Sequence, residues 1–67
     1  MIDITVNGEP RSLASGATVA ALLAQLALAG KRVAVEKNGE IVPKSRHGDT
    51  PLAHGDVLEI VVAVGGG

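Results

Sequence analysis

Val57-Leu58-Glu59-Ile60-Val61-Val62-Ala63-Val64 is the longest apolar run with strand character in the chain, and it feeds directly into Gly65-Gly66-Gly67. Valine and isoleucine dominate the run, and β-branched side chains pack well on a pleated, buried surface. A strand this apolar belongs in the middle of a sheet. Its one charge sets its facing: with Glu59 toward solvent, Leu58, Ile60 and Val62 point inward, while Val57, Val61 and Ala63 share the outer face with Glu59. The glycines that follow have no Cβ and make a thin stalk that fits a channel closed to side chains. On this reading the carboxylate of Gly67 is the reactive group; the plainer alternative is a frayed end.

A chain of 67 residues has room for one domain, near the lower limit at which a hydrophobic core suffices. Cysteine is absent, so neither disulfides nor thiolate metal sites can help, and with no Phe, Tyr or Trp the core must be aliphatic. Hydrophobic residues make up 46% of the chain and charged ones 19%, which excludes the composition of a disordered segment. Six basic against seven acidic residues leave no field of one sign to draw the protein to nucleic acid or to an anionic membrane. Without aromatics there are also no platforms for base stacking. The apolar stretch from Val19 to Gly30 imitates a signal peptide, but it follows Asp3, Asn7, Glu9 and Arg11 and not a short basic start. It is also too short for a membrane span, so a cytoplasmic protein is expected.

Ile2-Asp3-Ile4-Thr5-Val6 alternates apolar and polar residues, and Asn7-Gly8 accepts positive φ at both central turn positions. A weaker return strand from about Pro10 to Ala14 completes a hairpin. Thr18 is a candidate helix N-cap, and Val19, Leu22, Leu23 and Leu26 form one apolar stripe behind it. Gly30 reads as the C-terminal stop, with Lys31 and Arg32 suited to the negative end of the helix dipole, so the helix is expected over about 18–29. Arg32 to Lys37 returns to period 2, Asn38-Gly39 supplies a second turn, and Glu40-Ile41-Val42 forms a short strand ended by Pro43. From Lys44 to Asp56 the chain reads as a long surface loop anchored only by Leu52.

This order predicts an α+β fold: a small mixed sheet of four to five strands with one helix across one face, the β-grasp arrangement, with the last strand beside the first. The domain is expected over residues 1–64, followed by a flexible glycine tail at 65–67. The opposite face of the sheet stays open, and Val57, Val61 and Ala63 on it are the candidate docking residues.

Three stretches now carry a resemblance. Asn38-Gly39-Glu40-Ile41-Val42-Pro43-Lys44, Gly55-Asp56-Val57-Leu58-Glu59-Ile60-Val61 and the ending Val64-Gly65-Gly66-Gly67 resemble the ThiS family, the ubiquitin-like sulfur carriers of bacterial thiamine biosynthesis. The resemblance implies a co-substrate and not an enzyme. An adenylating, E1-like partner uses ATP and magnesium to activate the terminal carboxylate, a sulfur donor protein supplies a persulfide sulfur to form a thiocarboxylate, and thiazole synthase takes that sulfur. The chain itself binds no cofactor. Carried over, the modified residue is Gly67, with Gly66 and Gly65 threading the partner's active site. A molybdopterin-synthase small subunit or a ubiquitin-like protein modifier is the alternative.

Elsewhere the signals for chemistry are weak. His47, His54, Asp49 and Asp56 could be read as metal ligands, but they read better as solvated loop residues, and no metal site is expected. Lys31, Arg32, Lys37, Lys44 and Arg46 read as a solubilising rim. Catalytic side chains are not expected.

Overall fold

A computed structural model describes residues 1–63. Five strands and one helix follow in the order β1 (Ile2–Val6), β2 (Glu9–Leu13), α1 (Val19–Gln25), β3 (Val33–Lys37), β4 (Glu40–Val42) and β5 (Val57–Val62), with a 3-10 turn at Lys44–Arg46. They form one sheet in the order β2-β1-β5-β3-β4. β5 is central, parallel to β1 and antiparallel to β3, as its run of branched aliphatic residues requires. The fold is the expected β-grasp, with five strands. The boundary expected between 64 and 65, and the glycine tail, lie outside the described residues.

Both hairpins close as their Asn-Gly pairs predict. Asn7 and Gly8 have φ of 52° and 84°, and Asn38 and Gly39 have 53° and 86°, the positive pair that matches the twist of the flanking strands. β2 begins one residue before its expected start. Ile4, Val6, Leu13, Val35, Val42, Leu58 and Ile60 from the sheet meet Val19, Leu22 and Leu23 from α1 and Leu52 from the loop in one aliphatic core. At about 25 cal/mol per Å² of apolar area removed from water, burying each such side chain favours folding by roughly 1.5–3 kcal/mol.

The helix begins where expected and stops early. Thr18 caps it, its Oγ1 accepting from the Ala21 amide at 3.2 Å. It ends at Gln25, however, with Leu26 as C-cap, because Ala27 turns to a φ of 60°. The Ala27 amide donates to Ala24 O at 3.1 Å and the Leu28 amide to Leu23 O at 2.8 Å, the paired bonds of a Schellman motif. Gly30, read in the sequence as the stop, instead supplies positive φ to a separate turn closed by Lys31 N to Leu28 O at 3.0 Å. Lys31 and Arg32 are therefore not at the helix end. The shortened helix also explains Val62. It has the inward register yet is 39% exposed, because no helical turn remains to cover the end of β5.

The segment from Lys44 to Asp56 is more than a surface loop. Besides Leu52 it buries His47 and Asp56. Its carbonyls also finish the helix: Val19 N donates to Thr50 O at 3.0 Å and Ala20 N to His47 O at 2.9 Å. With Thr18 serving Ala21 and Leu22, all four first-turn amides are paired.

Candidate functional site

Helix and loop cover one face of the sheet, and among the described residues nothing packs on the other. Register fixes its membership. Val57 pairs with Thr5, which pairs with Pro10; Glu59 pairs with Glu36, which pairs with Ile41; Val61 pairs with Ala34. Directly paired residues share a face, so these rows lie side by side on the open surface. Val57 is 50% exposed, Val61 65% and Ile41 65%. Ala63 is exposed just past β5, its amide held by Arg32 O at 2.9 Å. The three expected docking residues therefore stand on one exposed strand side, the side shared with Glu59. Ile41 joins the same surface from the far hairpin and was missed, although its place opposite an outward Glu36 is readable once β3 and β4 are paired.

Glu36 and Glu59 face each other across the β3–β5 ladder. Among the described residues neither is salt-bridged; the recorded ion pair is Lys37 Nζ to Asp56 Oδ2 at 3.9 Å, with both residues turned from this face.

Both hairpin turns grip β5 between Val57 and Ile60. Asn7 Nδ2 donates to Ile60 O at 3.0 Å while its Oδ1 accepts from Ile60 N at 2.8 Å, so the side-chain amide imitates a neighbouring strand. On the other flank Asn38 Oδ1 accepts from Val57 N at 2.9 Å, and its Nδ2 donates to Asp56 Oδ1 at 3.0 Å. Backbone bonds from Asn7 N to Leu58 O and Asn38 N to Val57 O complete the grip. Asp56 Oδ2 also accepts from Ala53 N at 2.8 Å. Burial opposes ionisation of Asp56, but the Ala53 amide, the Asn38 amide and the Lys37 ammonium outweigh it and hold the carboxyl below its usual value.

Three of the four residues weighed as metal ligands, His47, His54 and Asp56, have other duties. His47 Nε2 lies 3.1 Å from Val42 O and donates to it, since a carbonyl can only accept. His54 Nδ1 accepts from Asp3 N at 3.0 Å. Among the described residues no three His, Asp or Glu side chains cluster as a metal site, and no helix is long and apolar enough to cross a membrane. Of the basic residues, Lys31, Arg32 and Lys44 line one shallow groove that also touches Ala63, and Lys37 is taken by Asp56. Gly65, Gly66 and Gly67 lie outside the described residues.

Comparison with known proteins gives a consistent result. The model of the ThiS family matches residues 4–67. A thiazole synthase from Paramagnetospirillum magneticum is 47% identical over 64 residues, 96% of this chain and 20% of that protein. The chain thus spans about a fifth of the length of the thiazole synthases it matches. The sulfur carrier protein ThiS of Bacillus subtilis is 48% identical over 50 residues, 75% of this chain and 76% of that one. Among solved structures, the thiamine biosynthesis protein ThiS from Geobacter metallireducens superposes with a TM-score of 0.82 at 35% identity, covering 98% of this chain and all of that one.

Proposed function

The chain belongs to the ThiS family, and on that premise we propose that it is a sulfur carrier of thiamine biosynthesis, a co-substrate that bears sulfur as a thiocarboxylate on Gly67. The observation that carries this reading is the extent of the family match, which runs through the β-grasp domain and on to the glycines at 65–67. Chemistry supports it. A carboxylate is a poor electrophile, because its charge repels nucleophiles and oxide does not leave. A partner adenylating enzyme joins it to AMP from ATP with magnesium, releasing pyrophosphate. The outer sulfur of a donor protein's persulfide then attacks the acyl carbon and displaces AMP, forming an acyl disulfide; a second thiol of a partner protein attacks the donor-side sulfur, so that the S–S bond breaks to leave the thiocarboxylate and a disulfide between the two thiols. Thiazole synthase takes the sulfur.

This division of labour asks of the chain a rigid body, a narrow end and a docking surface. Val57, Val61 and Ala63 are the proposed docking residues, on the strand that leads to the tail, while Gly65 and Gly66 thread the partner's site. The nucleophile and the ATP site belong to the partners, and the need for ATP places the reaction in the cytoplasm. Incubation with the organism's adenylating enzyme, ATP, magnesium and sulfur donor, followed by intact mass measurement, tests the reading. An oxygen-to-sulfur gain is expected, and it should vanish on deleting Gly66-Gly67. Attachment to a second protein's lysine would point to a modifier instead, and no change with a demonstrably active partner would refute both.

A further inference from the structure

Within the strands the open face carries three charged residues by register, Asp3, Glu36 and Glu59, all acidic; Arg32, whose carbonyl holds the Ala63 amide, stands at the end of the same face, four residues along the chain from Glu36. Asp3 is engaged by Ser12, whose Oγ donates to it at 2.6 Å. Among the described residues Glu36 and Glu59 have no such relief. They are direct cross-strand neighbours, a position where like charges destabilise a sheet and where opposite charges or apolar pairs are the favourable choice. Around them stand Val57 and Val61 on the same strand as Glu59, Ala34 beside Val61, and Ile41 opposite Glu36. The surface is an acidic centre in an apolar surround.

A wholly apolar partner would strip water from two carboxylates and return nothing, which is among the costliest arrangements in a protein interface. The occupant must bring positive charge together with apolar contact. A guanidinium suits the site better than an ammonium: it is planar, offers five donors that can engage two carboxylates at once, and is the more weakly hydrated of the two. We propose that the protein docking on this face seats an arginine side chain between Glu36 and Glu59, with apolar side chains against Val57, Val61 and Ile41. This rests on the docking surface of the preceding subsection and names the chemistry of its partner.

The test is titration of the chain with thiazole synthase of the same organism, the probe suggested by thiazole synthases that contain a stretch similar to this chain. Glu36→Gln and Glu59→Gln should each weaken binding on the order of tenfold or more. The double variant should cost little beyond either single one, because one arginine serves both, and binding should lose part of its salt dependence. In the free protein the same changes should leave the urea midpoint equal or higher, since they remove a repulsion. Loss of binding without loss of stability separates a contact role from a structural one. Val61→Asp probes the docking reading itself. If it abolishes binding while the glutamine variants bind as the parent does, the arginine is overturned and the docking surface stands. If the parent does not bind, or Val61→Asp binds unchanged, the docking surface falls too. A concentration-dependent dimer that Val61→Asp dissolves would show a second copy covering the face, and would equally overturn the proposal.

Discussion

Ala27 holds a φ of 60° at the position where the helix turns out of its last hydrogen bonds. An L-residue with a Cβ is strained there by roughly 1–2 kcal/mol, and glycine is the usual occupant. Ala27→Gly should therefore raise stability, by about 1 kcal/mol after the extra entropy glycine brings to the unfolded chain, read as a higher urea midpoint at unchanged slope. Asp56 makes the opposite case. Its carboxylate accepts from two amides and lies near Lys37, so Asp56→Asn should cost on the order of 1–3 kcal/mol. Because its carboxyl titrates lower in the folded protein than the unfolded value of about 3.9, the stability it contributes is complete above that value and is lost as pH falls toward the folded one. Urea midpoints measured from pH 6 downward should decline below about pH 4, and the Asn variant should decline less.

At the scale of elements, β5 is held not only by its ladders but by the turns of both hairpins. Each turn asparagine both adopts the positive φ its turn needs and hydrogen-bonds into β5, Asn38 at Val57 and Asn7 at Ile60. The two roles can be separated. Asn7→Gly keeps the turn conformation and deletes the side-chain amide, so it should lower stability by about 1–2 kcal/mol and speed hydrogen exchange at the Ile60 amide, with the hairpin intact by chemical shift. The seven-residue α1 shows a similar dependence on a distant segment. An isolated helix that short is not stable in water. It persists because Thr50 and His47 supply carbonyls to its first turn and Leu52 packs in the core. Insertions between Lys44 and Thr50 should therefore unfold the helix end first.

For the molecule as a whole, what could be read from the sequence was whatever local period and turn chemistry decide. The bounds of β1 and β4, both Asn-Gly hairpins, the N-cap at Thr18 and the central place of β5 follow from such signals. The helix end did not, because an alanine occupies a conformation its own preference opposes, while a nearby Gly30 offered a false stop. Nor did the capping role of residues 44–56, since backbone carbonyls carry no sequence signature and His47 buries itself through a bond to Val42 O. Of the candidate site, the alternation around Glu59 was enough to expect Val57, Val61 and Ala63 exposed on one side, whereas the Glu36–Glu59 opposition appears only once the β3–β5 register is known. Removal of Gly66-Gly67 should leave thermal unfolding nearly unchanged while abolishing the proposed activation, because the buried core among residues 1–63 is built from side chains between Ile4 and Ile60; a large drop in melting temperature would contradict that separation.

The placement of β5 also has a mechanical meaning. β1 and β5 run parallel as neighbours, so tension between the first residue and the end of β5 loads their shared bonds in shear, and β3 grips the same strand from its other side. Peeling would break bonds one by one; sliding must break the few bonds of this short ladder together. A pull on the chain beyond Ala63 thus loads the sheet in shear, and single-molecule extension along that axis should need more force than extension between β3 and β4, whose hairpin can unzip.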